Sequence, residues 1–249
     1  MSSYTKFARY YDILTSEIDY KKHAAYYDKL IKNSGGRKGG LLLDLACGTG
    51  SLSEEMSLLG YDVIGVDLSQ EMLSAALDKK IKSGLNIQYL CQDMTRLDMF
   101  GTIDITICAL DSLNHLKNSE EIEKTFERVS LFSNPGGIFV FDMNTVFKHE
   151  NVLSDNVFIY DTPEVYCIWE NYFSKKDNRI DIDMTFFEKS GGCFYRYDES
   201  FFETAYPIEE LNRLLKKTGF DLIGEYDYMN FDKPHEKSEK ITFLARKAL

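Results

Sequence analysis

Residues 41–60, LLLDLACGTGSLSEEMSLLG, join an apolar run, an aspartate, closely spaced glycines and a helix-like segment. Glycines between a strand and a helix let backbone approach a ligand, so this junction constrains fold and ligand together. The same alternation recurs downstream. DVIGVDL reads as a strand, and Ser69 as the N-cap of a helix carrying Met72, Leu73 and Ala76 and closed by Gly84. NIQYLCQD and IDITICAL are two further strands. Ser119, with Glu120 and Glu121 in the first turn, opens a helix with Ile122, Phe126 and Val129 on one face, and PGGIFVFDMN is a fifth strand. Ahead of the junction, Tyr20, Ala24, Tyr27 and Ile31 predict a helix from Asp19 to Asn33. Strands alternating with helices imply an α/β fold, a doubly wound and mostly parallel sheet with its ligand at the carboxyl ends of the strands.

Residues 151–206 break the pattern. EVYCIWENYF, IDIDMTFFEKS and CFYRYDESFFE are separated by SKKDN and SGG, and Ile180, Ile182, Met184 and Phe186 alternate with period two. This predicts an antiparallel β meander inserted after the fifth strand, with 5 basic against 11 acidic residues. The alternation then resumes with a helix in PIEELNRLLKKTGF and strands in DLIGEYDY and KITFLAR, making a seven-stranded sheet. The expected division is an N-terminal helical lid over 1–36, a ligand-binding domain over 37–150 and 207–249, and the inserted β lid over 151–206.

With 29 basic and 40 acidic residues the chain carries −11, which disfavours an extended phosphate backbone as partner. No run approaches the ~18 apolar residues of a membrane span, and MSSYTKFARYYDIL lacks a signal pattern. A cytoplasmic protein with no nucleic-acid or membrane partner is expected. Cys47, Cys91 and Cys108 fall in or beside apolar runs and read as buried reduced thiols, and no Cys/His cluster has zinc-ligand spacing.

The ligand is narrowed by what the junction lacks. A phosphate-binding P-loop needs a lysine after its last glycine, and none follows Gly50. The dinucleotide fingerprint matches Gly48 and Gly50, but Ser53 stands where its third glycine belongs, so a nicotinamide oxidoreductase is weakened without being excluded. Asp67 ends the next strand, 17 residues after Gly50, placed to accept from both hydroxyls of a ribose. Asp93 could accept from an adenine amino group. Asp44 would repel a pyrophosphate and suits an ammonium.

These segments resemble the class I S-adenosylmethionine-dependent methyltransferases. LLLDLACGTG is similar to their glycine-rich first motif, VIGVDLSQEML to the second, CQDM to the third and IDITICALDSLNHL to the fourth, with PGGIFVFDMN as the strand before the insertion. The resemblance implies a Rossmann-like methyltransferase fold and S-adenosyl-L-methionine as cofactor, leaving S-adenosyl-L-homocysteine. It implies that Asp44, Ala46, Gly48 and Gly50 shape the methionine end of the site, Asp67 and Leu68 hold ribose and adenine, and Asp93 and Met94 take the adenine edge. Tyr11, Met72 and Ala109 complete that expected set.

Methyl transfer from a sulfonium is chiefly a matter of alignment with water excluded, which calls for a lid. Tyr4, Phe7, Tyr10 and Tyr11 make the N-terminal segment one candidate and the meander supplies another. Acceptor nucleophiles in this fold sit after the fourth strand, where ALDSLNHL offers Asp111, Asn114 and His115. His115 is either a general base, since an ordinary histidine titrates near pKa ~6.5, or a residue bonding backbone. Asp111 is a second catalytic candidate, and Asn114, Asp142 and Asn144 are candidates for holding the acceptor. The acidic, aromatic meander points to a small-molecule amine, held by charge and ring faces. ALDSLNHL has no N-P-P-Y-type segment for base methylation, and protein methylation stays open.

Overall fold

The computed structural model describes residues 7–249. Tyr4 of the expected lid lies outside them. The first elements are α1 (Phe7–Leu14), α2 (Tyr20–Asn33), β1 (Leu41–Leu45), α3 (Ser51–Leu58), β2 (Asp62–Asp67), α4 (Gln70–Ser83) and β3 (Gln88–Cys91). They are followed by β4 (Ile103–Cys108), α5 (Ser119–Phe132) and β5 (Ser133–Asn144). Side chains set the helix ends. Asp19 caps α2 by accepting from Lys22 N at 3.0 Å, and Ser69 caps α4 by accepting from Met72 N at 3.2 Å. Gly84 closes α4 at φ +70°, a left-handed position glycine takes without strain.

Beyond β5 come a short helical turn α6 (Val146–Lys148), a π-helical segment (His149–Leu153) and four strands, β6 (Val157–Asp161), β7 (Val165–Ser174), β8 (Arg179–Ser190) and β9 (Cys193–Thr204). Then α7 (Ile208–Lys217), β10 (Phe220–Asp227) and β11 (Lys240–Lys247) return to the main sheet. That sheet runs β10-β11-β5-β4-β1-β2-β3. Only β11 is antiparallel, pairing so with both β5 and β10. β1 pairs with β2 on one side and β4 on the other, so the strand order reverses there and a crevice opens at the carboxyl ends of β1 and β4.

Two apolar cores cover the two faces of this sheet, one around Phe126, Phe139, Phe141 and Leu214, the other around Tyr27, Leu30, Leu42 and Ile105. The inserted strands form a separate antiparallel sheet in the order β6-β7-β8-β9. One of its faces packs Cys167, Ile182, Met184 and Phe186 against Phe7, Ala8 and Tyr10 of α1 and Met72 of α4. α1 is therefore clasped between the inserted sheet and α4. We propose that 37–150 with 207–249 form one unit and 151–206 a second, with the N-terminal lid of 1–36 as the third and its α1 bridging the other two.

The meander has a strand more than its sequence suggested. β6 alternates exposed and half-buried residues and lies at the sheet edge, so it lacks the long apolar run of its neighbours. Cys91 also departs from expectation. β3 is the edge strand of the main sheet, and both Cys91 and Cys193 are exposed, while Cys47, Cys108 and Cys167 are buried. Among the described residues, no helix is long and apolar enough to cross a membrane.

Candidate functional site

The turn from β1 into α3 uses three left-handed positions within five residues: Ala46 at φ +61°, Gly48 at +55° and Gly50 at +75°. For Ala46 that costs about 1–2 kcal/mol, which the surrounding hydrogen bonds must hold in place. Cys47 N donates to Val66 O at 2.9 Å, and Gly48 N donates to Asp67 Oδ2 at 2.8 Å. The other oxygen of Asp67 accepts from Ser69 N at 2.8 Å, so one carboxylate ties the glycine turn to the start of α4. Burial pushes the Asp67 carboxyl up, against the lowering effect of the Ser69, Gly48 and Leu68 amides. Asp44 accepts from Ser53 Oγ at 2.5 Å, and its burial raises its carboxyl to about 7, the Ser53 hydroxyl opposing and Asp67 adding to the rise.

In front of this turn lies a cavity of about 210 Å³. Its walls are Ala46 and Gly48 from the turn, Asp67, Leu68, Ser69 and Met72 from the β2–α4 corner, and Gln92, Asp93 and Met94 after β3. Leu110, Ser112, His115 and Leu116 come from the segment after β4, and Phe7 and Tyr11 from α1. A narrower hollow of about 30 Å³ continues past Ala46 and Gly48 to Asp44, Thr49, Ser51 and Ala109, with Tyr11 and Tyr20 above. Of the eleven residues expected to hold a cofactor, ten line these two spaces. Gly50 alone stands behind the turn, against Tyr89 and Ala76. A larger hollow of about 510 Å³ is lined only by residues of the inserted sheet and its loops, between Asp161 and Phe194, and shares no residue with the crevice.

His115 lines the main cavity, and its Nδ1 lies 3.1 Å from Phe202 O. A carbonyl can only accept, so Nδ1 carries the proton and Nε2 is the basic nitrogen. The inserted sheet thereby fixes the tautomer as well as the position of the ring.

The other polar candidates are placed elsewhere. Asn114 spends both amide hydrogens on Asn144 O and Thr204 O, at 3.2 and 2.9 Å, and its oxygen accepts from Asn144 N. Asn144 Nδ2 donates to Asp111 Oδ2 at 2.6 Å and Glu203 Oε2 at 2.9 Å. Asp142 accepts from the Tyr27 hydroxyl at 2.5 Å and from Leu110 N and Asp111 N. None of these three, expected to hold the acceptor, lines this cavity; they form a buried network that sets the segment after β4. Leu110 and Asp111 both sit at φ +56°, held by the Asp142 carboxylate. Asp111 does not line the cavity either and is paired with Lys240 Nζ at 3.3 Å. Burial would raise its carboxyl, yet Lys240, Lys148 and His115 outweigh it and hold it at about 2, too weak a base to take a proton at neutral pH.

Ser112, Gln92, Tyr20 and the contact of Thr49 with Asp12 and Lys79 belong to the site without having been expected there. Thr49, Gln92 and Ser112 fall inside segments already singled out. Asp12, Tyr20 and Lys79 carry no signal of their own in the sequence, because what marks them is proximity to residues distant in the chain.

Residues 42–137 match the model of a family described as a methyltransferase domain. The chain is 35% identical over 246 residues to YqeM of Bacillus subtilis (strain 168), a protein named as a methyltransferase, covering 98% of this chain and 97% of the relative. Its fold matches a crystal structure of an S-adenosylmethionine-dependent methyltransferase from Clostridium acetobutylicum ATCC 824, at 34% identity and TM-score 0.88 over 99% of each chain. The sugar N-methyltransferase KedS8 from Streptoalloteichus sp ATCC 53650 shares the fold at 17% identity and TM-score 0.78, over 96% of this chain and 93% of that one.

Proposed function

The chain belongs to the class I S-adenosylmethionine-dependent methyltransferases, and we propose that its methyl acceptor is a small molecule bearing an amine. The observation that carries this reading is the wall facing the cofactor crevice. Phe7 and Tyr11 roof the cavity, α1 packs on the inserted sheet, and that sheet belongs to a segment with 5 basic against 11 acidic residues. A cationic amine is favoured in such a field and over such rings. KedS8, which has the same fold, is a sugar N-methyltransferase, and that supports the same class of acceptor.

The crevice fits the cofactor. A Cβ at Gly48 would meet nothing within 4 Å, so the turn leaves open space for a ligand to approach its backbone. Each oxygen of Asp67 accepts one amide and keeps a further acceptor site for a ribose hydroxyl. Asp93 Oδ1 accepts from Thr95 N and Thr95 Oγ1, which aims the carboxylate of a cavity-lining residue for an adenine amine. Asp44 suits the ammonium of the amino-acid end. S-adenosylmethionine supplies a methyl group already activated on a positive sulfur. The remaining tasks fall to the chain: α1 and the inserted sheet exclude water, Leu110 and Ser112 shape the passage, and His115 Nε2 receives the amine proton. The nicotinamide alternative falls with the family assignment, and the net charge of −11 argues against a nucleic-acid acceptor.

The test is a screen of small amines, alcohols and carboxylates with S-adenosylmethionine. Amines are expected to be methylated, and methylation of hydroxyl or carboxyl acceptors alone would sink the proposal. His115→Ala is expected to lower turnover about 100-fold while leaving cofactor affinity nearly intact. Equal loss of both would remove His115 from the chemistry. Asp67→Ala is expected to weaken S-adenosylhomocysteine binding by about 1.5–3 kcal/mol in calorimetry. An unchanged affinity would put the ribose elsewhere.

A further inference from the structure

A cation would stabilise the carboxylate at the amino-acid end of the cofactor, and among the described residues the crevice wall offers none directly. Among the described residues, the two hollows are lined by three carboxylates, Asp44, Asp67 and Asp93, and by no lysine or arginine. A cation bonded to the wall is Lys79, reaching across from α4. Its Nζ lies 2.6 Å from Ser51 Oγ and 3.0 Å from Thr49 Oγ1, both of which line the narrow hollow. Its third partner is Asp12 Oδ2, at 2.6 Å. Thr49 Oγ1 in turn donates to Asp12 Oδ1 at 2.6 Å. A carboxylate from α1 thus already sits on an ammonium and a hydroxyl, at the end of the hollow opposite the adenine side, beside the first residue of α3.

We propose that Asp12 is a built-in stand-in for the cofactor carboxylate, and that Lys79 with Thr49 and Ser51 forms the subsite that receives that carboxylate in its place. The proposal rests on S-adenosylmethionine as the ligand. The exchange balances charge: one carboxylate leaves Lys79 as another arrives, and Asp44 at the other side of the hollow faces the ammonium. Asp12 lies on α1, the helix clasped by the inserted sheet, so the lid and the cofactor compete for one cation. Lys79 therefore favours binding and Asp12 opposes it, although the two form a single ion pair. An ion pair that only anchored α1 would make both residues act in the same direction.

The experiment is calorimetric titration of the unmodified chain, Lys79→Met and Asp12→Asn with two ligands. S-adenosylhomocysteine carries the amino-acid end, whereas 5′-methylthioadenosine keeps the adenosine and thioether without it. Lys79→Met is expected to weaken S-adenosylhomocysteine at least about tenfold, the usual scale for losing a charged hydrogen-bond partner. Asp12→Asn is expected to tighten it by about threefold or more, since a competing charge is removed. Neither change should move 5′-methylthioadenosine by more than about twofold, and that binding also reports that each variant is folded. The subsite is overturned if Asp12→Asn weakens S-adenosylhomocysteine or leaves it unchanged, or if Lys79→Met weakens both ligands alike. If neither ligand binds the unmodified chain, the cofactor reading itself is overturned and the subsite goes with it.

Discussion

Gly50→Ala is expected to lower the melting temperature by about 10 °C and to abolish S-adenosylhomocysteine binding, although Gly50 does not line the crevice. Two costs combine. The residue sits at φ +75°, where a Cβ crowds the backbone at about 1–2 kcal/mol. The new Cβ would also lie inside contact distance of the Tyr89 hydroxyl and 3.0 Å from both Tyr89 Cζ and Ala76 Cβ. Tyr89 has little room to withdraw, because its ring fills the space over Gly65, where a Cβ would come within 2.6 Å of Cδ1 and Cε1. Overpacking of this kind costs about 1–3 kcal/mol, so the total is about 2–5 kcal/mol. Whichever way the strain is relieved, the turn moves, and with it Gly48, Thr49 and the Ser53–Asp44 bond. Gly48→Ala provides the comparison. It sits at φ +55° with nothing within 4 Å of a new Cβ, so it carries the backbone cost alone. If the two variants melt together, Tyr89 is not the obstacle. If Tyr89→Phe in the Gly50→Ala background recovers part of the loss, the hydroxyl is.

Gly50 also marks how far the sequence could be read. Its place in LLLDLACGTG identifies the turn, and the pattern of short apolar runs and capped helices identifies the sheet, because these are local signals. Ser69 and Gly84 cap α4 as their types and spacing require. β6 was missed because an edge strand with one face in solvent has no continuous apolar run. The site divides along the same line. Residues lining the crevice lie in consecutive motif segments at strand ends, and ten of the eleven expected there do line it. Asp142 and Asn144 at the end of β5, and Asn114 in the turn after β4, lie in comparable segments, yet they point into the protein. A polar side chain in that position either meets a ligand or closes a network with Thr204, Tyr27 and Glu203, and partners 59 to 115 residues away leave no mark on the local sequence. Lys79 is the converse case: by its type and position on α4 it reads as an ordinary surface lysine, and only the fold brings it to Asp12 and Thr49.

That buried network supports the second large effect. Lys240→Met is expected to destabilise the protein by about 3 kcal/mol, because removing one partner from a buried charge cluster leaves the others uncompensated. The Lys240 side chain is 11% exposed, lies 3.3 Å from Asp111 Oδ2 and 3.7 Å from Asp142 Oδ1, and rests over the Tyr228 ring. The effect has a pH signature. In the native protein Asp111 is held at about 2, below the ordinary carboxylate value near ~4, so its contribution to stability is present above that ordinary value and is lost as pH falls towards 2. Without Lys240, burial, the largest influence on Asp111, is opposed by Lys148 and His115 without their strongest ally, and the carboxyl is expected to rise above its unfolded value. The folded variant then binds a proton more readily than the unfolded chain, and its stability increases as pH falls through the weakly acidic range. The gap in melting temperature between the two proteins is therefore expected to be about 10 °C at pH 7.5 and clearly smaller at pH 5. A gap that stays constant or widens on acidification would mean that Lys240 does not neutralise this cluster. Leu110, which lines the passage to His115, and the left-handed Asp111 beside it would then be held by the Asp142 and Asn144 hydrogen bonds.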